Sequence, residues 1–188
     1  MFWSKITINR NEIAAKRLLT PYAWHMAVWE AFDKEKKGRD FIYHYDINDE
    51  TATLNLISET KPSIPEWGAW QTKVIPEKLF DGTNYFFKIK VNLPPERVPG
   101  KHRNIIEWFR NQGKAKGFTL TDAIITKNPE VIKFGTNKKD DKRIFIICST
   151  EIEGFFTISD RELFKEHFYK GFGANKTFGL GLMQLKQV

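Results

Sequence analysis

The sequence predicts an α+β fold built from two tandem ferredoxin-like (RRM-like) domains. Stretches of alternating apolar and polar residues, typical of strands, recur along the whole chain and are separated by a few stretches with helical spacing. These elements suggest two successive halves of the β-α-β-β-α-β kind, although the first half lacks an obvious second helix. A chain of 188 residues is long enough for two domains of about 90 residues each. We therefore predict domains at residues 1–93 and 94–188.

In the first half, four segments are predicted as strands and one as a helix. Thr20 and Pro21 are typical of an N-cap followed by proline at the first helical position, which predicts a helix from Tyr22 to about Lys37, ended by Gly38. The predicted strands are "FWSKITINR", "DFIYHYDI", "TATLNLISE" and "NYFFKIKVNL". "SETKPSIPEWGAW", with its two prolines, is predicted to be a loop, and "PPERVPGKH" a linker.

The second half is predicted to contain two helices and five strands. The helices are "KHRNIIEWFRNQ" and "SDRELFKEHFYK", the latter capped by Ser159 or Asp160. The predicted strands are "GFTLTDAII", "EVIKFG", "RIFIICST", "EGFFTI" and the final "FGLGLMQL".

Cysteine and histidine usage argues against several classes of protein. A single cysteine, Cys148, excludes an internal disulfide framework and a cysteine-rich zinc site. The four histidines have no cysteines or carboxylates at ligand spacing, so we expect neither a metal nor another cofactor. No signal peptide and no apolar run of the ~18 residues that span a bilayer are present. We therefore expect a cytoplasmic protein without a membrane partner.

The basic composition favours a polyanionic partner. Thirty Lys and Arg against 23 Asp and Glu give a net charge of +7, which fits nucleic acid better than a membrane surface. An ordinary basic protein is the alternative. The densest basic segment, "KFGTNKKDDKR", is a predicted hairpin tip that could reach RNA phosphates or simply be a solvated loop. Its cations are Lys138, Lys139, Lys142 and Arg143. Weaker candidates of the same type are "KHR", with Lys101 and Arg103, and "KAK" at residues 114–116.

The segment "GFGANKTFGLGLM" has four glycines and a Lys-Thr pair near the C-terminus. It is not a nucleotide-binding loop, because the glycines of a P-loop would fall on Lys170 and Asn175, and the third glycine of a dinucleotide fingerprint on Lys176. Either motif also opens a helix inside a βαβ unit, and too little chain follows for one. A helix-to-strand loop is the simpler prediction.

Tyr22 and His25 are the most chemically suggestive pair. Three residues apart, they are neighbours on one face of the first turn of the predicted helix. Histidine exchanges protons near neutral pH and a tyrosine hydroxyl orients or donates to an oxygen, so the pair suits acid–base attack on a phosphodiester without a metal. The alternative is that both side chains pack into an apolar helix.

Taken together, these stretches resemble a known family, the CRISPR repeat-RNA endoribonucleases of type I-E Cascade complexes (the CasE family). The resemblance runs nearly end to end. It is carried by "FWSKITI", "PYAWH" with "VWEAF", "GRDFIYHYD", "LISETKPSIPEW", "FFKIKVNLPPERVPGKHR", "WFRNQGKAKGFTL", "IEGFFTISD" and the closing "GFGANKTFGLGLM". The shared order and the last segment, which matches the family's G-x-G-x-x-K-x-x-G-x-G-L signature, are its specific features.

The resemblance implies the same tandem fold and a metal-independent cleavage of CRISPR precursor RNA at the base of the repeat stem-loop. The 2′-OH would attack the phosphate and leave a cyclic phosphate and a 5′-OH. Tyr22 and His25 match the family's catalytic tyrosine and histidine, with the assignment of acid and base left open. Lys176 and its loop, including Gly171 and Gly173, would meet RNA phosphates, and the basic hairpin would enter the major groove of the stem. The mature RNA would stay bound, with the protein a Cascade subunit.

The sequence also departs from the family. Met26 and Glu30 stand where some relatives carry basic residues, so stabilisation of the transition state would fall to Lys34, Arg39 or Lys176. "PPERVPGKHR" is short, and a contact made by longer relatives would be absent. A catalytically weak or inactive RNA-binding Cascade subunit is therefore an alternative function, and a small-molecule enzyme on the same scaffold is another.

Overall fold

The protein has two four-stranded antiparallel sheets, each with helices packed against one face. The computed structural model describes residues 1–33, 38–92, 105–135 and 144–188. The strand orders are β2-β3-β1-β4 and β6-β7-β5-β8, the same order in each sheet when strands are counted from its own first one. This order is that of a ferredoxin-like module, so the predicted fold class is confirmed.

The first compact unit comprises Met1–Ile75 with the described parts of Phe134–Phe145 and Thr177–Gly179. Its elements are β1 (Phe2–Asn9), α1 (Arg10–Ala15), α2 (Pro21–Trp29), β2 (Phe41–Ile47), β3 (Thr51–Ser58) and β4 (Ala69–Val74). Strand β1 lies in the middle, paired with β3 on one side and β4 on the other. Alternate residues such as Ile6 and Ile8 on β1 and Leu54 on β3 are fully buried, and they pack with Trp24 of α2.

Helix α2 begins as the sequence predicts and ends earlier. The Thr20 Oγ1 accepts a hydrogen bond from the Ala23 N–H at 3.2 Å, and Pro21 occupies the first turn. The helix ends at Trp29 and not near Lys37. It buries Trp24, Ala27 and Val28 against the sheet, so Tyr22, His25 and Trp29 remain only partly buried on the neighbouring face.

The second compact unit comprises Pro76–Lys133, Ile146–Lys176 and Leu180–Val188. Its elements are β5 (Asn84–Asn92), α3 (Ile105–Lys114), β6 (Phe118–Gly135), β7 (Ile144–Ile158), α4 (Arg161–Lys170) and β8 (Met183–Gln187), with 3₁₀ turns at Glu77–Phe80 and Lys176–Phe178. Its core is rich in aromatic rings: Phe87 of β5 stacks on Phe109 of α3, and Phe156 of β7 packs on Phe164 of α4.

Several element assignments from the sequence were wrong. "AWQTKV", which was placed partly in a loop, forms the edge strand β4 and completes the first sheet. β5, counted with the first half, pairs with β7 and β8 in the second sheet. β6 and β7 are each one long strand and not two, and β8 begins at Met183, after the glycines. The predicted domain ranges, 1–93 and 94–188, stay a prediction.

Gly181 fixes the path of the glycine-rich loop into β8. Its N–H donates to the Lys90 carbonyl oxygen at 2.7 Å, and its carbonyl oxygen accepts from the Phe172 N–H at 2.9 Å. Its φ of +81° lies in the left-handed region, and a Cβ there would stand 2.2 Å from the Phe172 carbonyl oxygen. A side chain at this position therefore clashes with the backbone at Phe172, which can shift only at a large cost in free energy.

We expect Gly181→Ala to lower the free energy of unfolding by more than about 3 kcal/mol. Gly173→Ala is the matched control, because Gly173 has a similar φ of +78° but its Cβ would meet only ordinary contacts, the nearest at 3.8 Å. It should cost about 1 kcal/mol. Urea unfolding of both variants measures the difference, and equal losses would show that backbone strain alone makes Gly181 necessary.

Candidate active site

Tyr22 and His25 lie together on α2, as the sequence predicts. Their ring centroids are 6.3 Å apart and tilted by 45°, and both rings are partly exposed. The His25 ring also makes edge contacts with Trp29, at 6.1 Å, and with Phe178, at 6.2 Å. Phe178 packs in turn on Phe134. The His25 ring is therefore held by aromatic contacts, and both it and Tyr22 keep part of their surface exposed.

The Trp29 indole fixes the orientation and the tautomer of His25. Its Nε1–H donates to His25 Nε2 at 3.0 Å, one helical turn along α2. An accepting Nε2 means that the proton of the neutral ring is on Nδ1. That Nδ1 is buried and makes no hydrogen bond of normal geometry with any described residue. The neutral ring therefore has one nitrogen lone pair, on Nε2, and the hydrogen bond from Trp29 occupies it.

Arg39 brings a positive charge to the same place. Its Nη1 donates to Thr177 Oγ1 at 3.0 Å, and its guanidinium lies 6.0 Å from the centre of the Phe41 ring. The Thr177 carbonyl oxygen accepts from the Tyr43 hydroxyl at 2.9 Å. Tyr43 is fully buried, so this bond fixes the segment that carries Thr177 and hence the guanidinium bonded to it.

Burial and Arg39 together lower the pKa of His25 to about 4. Desolvation of the imidazolium is the larger cause, the Arg39 charge acts in the same direction, and the main chain of Thr177 opposes both. The pKa of Arg39 is lowered by burial as well. At neutral pH His25 is therefore uncharged, and Arg39 is the cation that acts on it among the residues that the structure describes.

A second group of cations lies beside the glycine-rich loop in the second unit. Lys176 Nζ is 3.5 Å from the Gly171 carbonyl oxygen. Burial and the Lys176 charge lower the pKa of Lys116, whose Nζ also lies 5.5 Å from the Phe172 ring centre. Burial, Lys116 and Lys176 all contribute to a lowered pKa of His167. The charge of Lys176 thus lowers the pKa of both Lys116 and His167, an arrangement that an anion would stabilise.

The structure describes some of the predicted site residues and not others. Arg39, Gly171, Gly173 and Lys176 are described, and the two glycines have φ of +71° and +78°. The remaining predicted RNA-binding residues lie outside the described residues: Lys34, Lys101, Arg103, Lys138, Lys139, Lys142 and Arg143.

Sequence reasoning missed three members of these groups. Trp29 lies four residues after His25, a spacing that marks it as a neighbour on the helix. Thr177 reaches the site from the far end of the chain, and no local pattern indicated it. His167 was not among the predicted site residues, although it lies in the last turn of α4 and the charges of Lys116 and Lys176 lower its pKa.

Comparisons with known proteins agree with this fold. A family model described as CRISPR associated protein matches residues 1–187. A search of curated proteins finds no match. Among the residues that the structure describes, no helix is long and apolar enough to cross a bilayer.

Several solved structures share the fold over their whole length. Thermus thermophilus Cse3, bound to an RNA representing a pre-cleavage complex, matches with a TM-score of 0.79 at 19% identity, over 98% of each chain. The CRISPR-associated protein Cas6e from Escherichia coli K-12 matches with a TM-score of 0.70 at 21% identity, over 100% of each chain. A chain of a CRISPR RNA-guided surveillance complex matches with a TM-score of 0.71 at 15% identity, again over 100% of each chain.

Proposed function

The chain belongs to the CRISPR associated protein family, and we propose that it is the endoribonuclease that cuts CRISPR precursor RNA within each repeat, at the base of the stem-loop. The proposed product remains bound through its 3′ stem-loop, and the protein joins the other subunits of a type I-E Cascade complex in the cytoplasm. The fold is shared with Cse3 that binds RNA and with a chain of an RNA-guided surveillance complex, which supports this proposal.

The observation that carries the catalytic part is the neutral His25 beside Tyr22 and Arg39. An imidazole with a pKa near 4 is unprotonated at neutral pH, which is the form that accepts a proton, and its Nε2 can do so once the Trp29 indole is displaced. We therefore assign the base to His25 Nε2. Tyr22, whose ring is 6.3 Å away, is assigned to hydrogen bonding with the scissile phosphate and its leaving oxygen.

The proposed reaction is an internal displacement at phosphorus. His25 removes the proton of the 2′-OH, and the resulting oxygen forms a bond to the adjacent phosphorus. The bond from phosphorus to the 5′ oxygen breaks, and that oxygen receives a proton from the Tyr22 hydroxyl or from water. The products are a 2′,3′-cyclic phosphate and a 5′-OH, and Arg39 stabilises the negative charge that grows on the phosphoryl oxygens.

Incubating the full chain with its own repeat RNA in EDTA tests this function. Cleavage to fragments with cyclic-phosphate and 5′-OH ends, identified by mass spectrometry, is the expected result. Tight binding without cleavage would instead support the alternative of an inactive RNA-binding subunit. If the chain neither binds nor cleaves the RNA, both the proposed endoribonuclease and the inactive RNA-binding subunit are contradicted.

The cations beside the glycine-rich loop are proposed to hold RNA phosphates. We expect Lys176→Ala to reduce the slope of log K against log salt by about 1, because one fewer counterion is released on binding. The affinity for repeat RNA should be measured at several salt concentrations. Lys165→Ala is the matched control: it removes one positive charge, but one already paired with Glu77 at 2.6 Å. Equal changes in both variants would show an effect of net charge and not of a phosphate contact.

A further inference from the structure

The face of the second sheet opposite its helices carries a pair of aromatic rings. Phe86 on β5 and Phe155 on β7 are directly opposite in the strand register. Their centroids are 5.5 Å apart, with an interplanar angle of 65°. Phe155 is 46% exposed, and Phe86 is partly buried beneath it.

The two rings lie on the central strands of the sheet. In the order β6-β7-β5-β8, β7 and β5 are the inner pair. Their neighbours in sequence, Phe87 and Phe156, point the other way and pack against the helices. The pair is thus not part of the core of the unit, and the Phe155 ring is open to a ligand over nearly half of its surface.

Lysines surround the aromatic pair. Lys186 on the edge strand β8 is directly opposite Phe86, and Lys88 and Lys90 follow Phe86 on the same face of β5. Their cross-strand partners on β7 are Glu153 and Glu151.

The acidic residues of this face do not cancel its positive charge. The Glu151 side chain is only 3% exposed, and its two oxygens lie 3.2 Å from Lys88 Nζ and 3.6 Å from Lys127 Nζ. Two lysines thus form ion pairs with this one buried carboxylate. Lys90 and Lys186 add two positive charges and Glu153, opposite Lys88, adds one negative charge, so lysines outnumber carboxylates among these residues.

We propose that Phe86 and Phe155 form a platform on which bases of single-stranded RNA stack, with Lys90 and Lys186 beside the RNA backbone. A four-stranded sheet with aromatic side chains on its two central strands is a general way of binding two or three unpaired bases. Aromatic rings interleaved with cations suit such a strand, because each base offers a π-face and each nucleotide a phosphate. This platform is additional to Tyr22 and His25 and does not depend on cleavage.

The charge of this face favours RNA over a protein surface as its ligand. Lys186 lies across from Phe86 on β8 and Lys90 lies four residues after Phe86 on β5, so cations stand both across the strands and along them from the rings. A protein contact of the same kind would need acidic side chains placed to match them.

The test is binding of the full chain to a weakly stacked RNA of ten nucleotides, uridines with one central 2-aminopurine. Stacking quenches the fluorescence of this base, so the signal reports the platform and not the stem-loop site. We expect Phe155→Leu to weaken binding about 5- to 150-fold and to abolish the quenching, because leucine keeps the apolar contact but not the stacking ring. Phe155→Tyr keeps the ring and should retain both.

Other outcomes would overturn the platform. Unchanged affinity of Phe155→Leu, or equal losses in the Leu and Tyr variants, would show that stacking is absent. If RNA binding is unchanged and the Leu variant instead loses self-association in sedimentation, the face is a protein contact. His25→Ala should bind the ten-mer normally, so failure of cleavage and failure of stacking are separately visible.

Discussion

Replacing His25 by alanine is expected to slow repeat-RNA cleavage by about 10²–10⁴-fold while leaving RNA affinity nearly unchanged. The substitution removes the lone pair that we propose accepts the 2′-OH proton. Affinity should survive because the ring is neutral at the pH of the reaction and holds no phosphate by charge. Single-turnover rates and equilibrium binding, measured on the same RNA in EDTA, separate the two quantities.

Two further variants distinguish the loss of a catalytic base from a folding defect. His25→Gln keeps a side-chain oxygen that can accept from the Trp29 indole but cannot act as a base, so it should be as slow as the alanine variant. His44→Gln is the histidine control, since His44 is buried on β2 and bonds Asp46 at 2.9 Å, and it should cleave normally. Affinity and rate falling together in His25→Ala would make His25 a structural residue.

Arg39→Gln is expected to reduce the cleavage rate by about 10²–10³-fold. The guanidinium is the cation whose charge lowers the pKa of His25 among the described residues, so in the proposed reaction its loss leaves the charge on the phosphoryl oxygens without this partner. The same change should raise the pKa of His25 above about 4, because one of the two causes that lower it is removed. A histidine titration by NMR on the free protein measures this shift.

The control for Arg39 is Thr177→Val, which removes the hydroxyl that Arg39 holds at 3.0 Å but leaves its charge. We expect a much smaller loss of rate and a pKa of His25 that stays near 4. If Thr177→Val loses as much activity as Arg39→Gln, then Arg39 serves to hold the loop and not to stabilise the reaction. An unchanged pKa of His25 in Arg39→Gln would contradict the electrostatic coupling itself.

Local signals predicted the fold class well and the strand boundaries poorly. The cap at Thr20 and Pro21 marked the start of α2 because it depends only on neighbouring residues. By contrast, Glu151 was taken as a break, yet it lies inside β7. Its charge is accommodated by Lys88 and by the Thr126 hydroxyl, which donates at 3.0 Å, and these partners come from other strands. No pattern within "STEIEGFF" could show them.

The candidate site shows the same difference: its local features could be predicted, and its tertiary contacts could not. Tyr22 and His25 share one helix turn, so their spacing was enough to pair them. Arg39 entered only as one of several cations, and its bond to Thr177 joins residues 138 positions apart. That contact depends on the tertiary fold, as does the burial that lowers the pKa of His25.

The hydrogen bond from Trp29 to His25 gives the resting enzyme a form of selectivity. While the indole Nε1–H donates to His25 Nε2 at 3.0 Å, that nitrogen cannot accept a proton from water or from an RNA hydroxyl. A 2′-OH must displace the indole before any proton moves. We expect only an RNA that is bound at other contacts to remain long enough for that exchange, so His25, the proposed base, should not act on weakly bound RNAs.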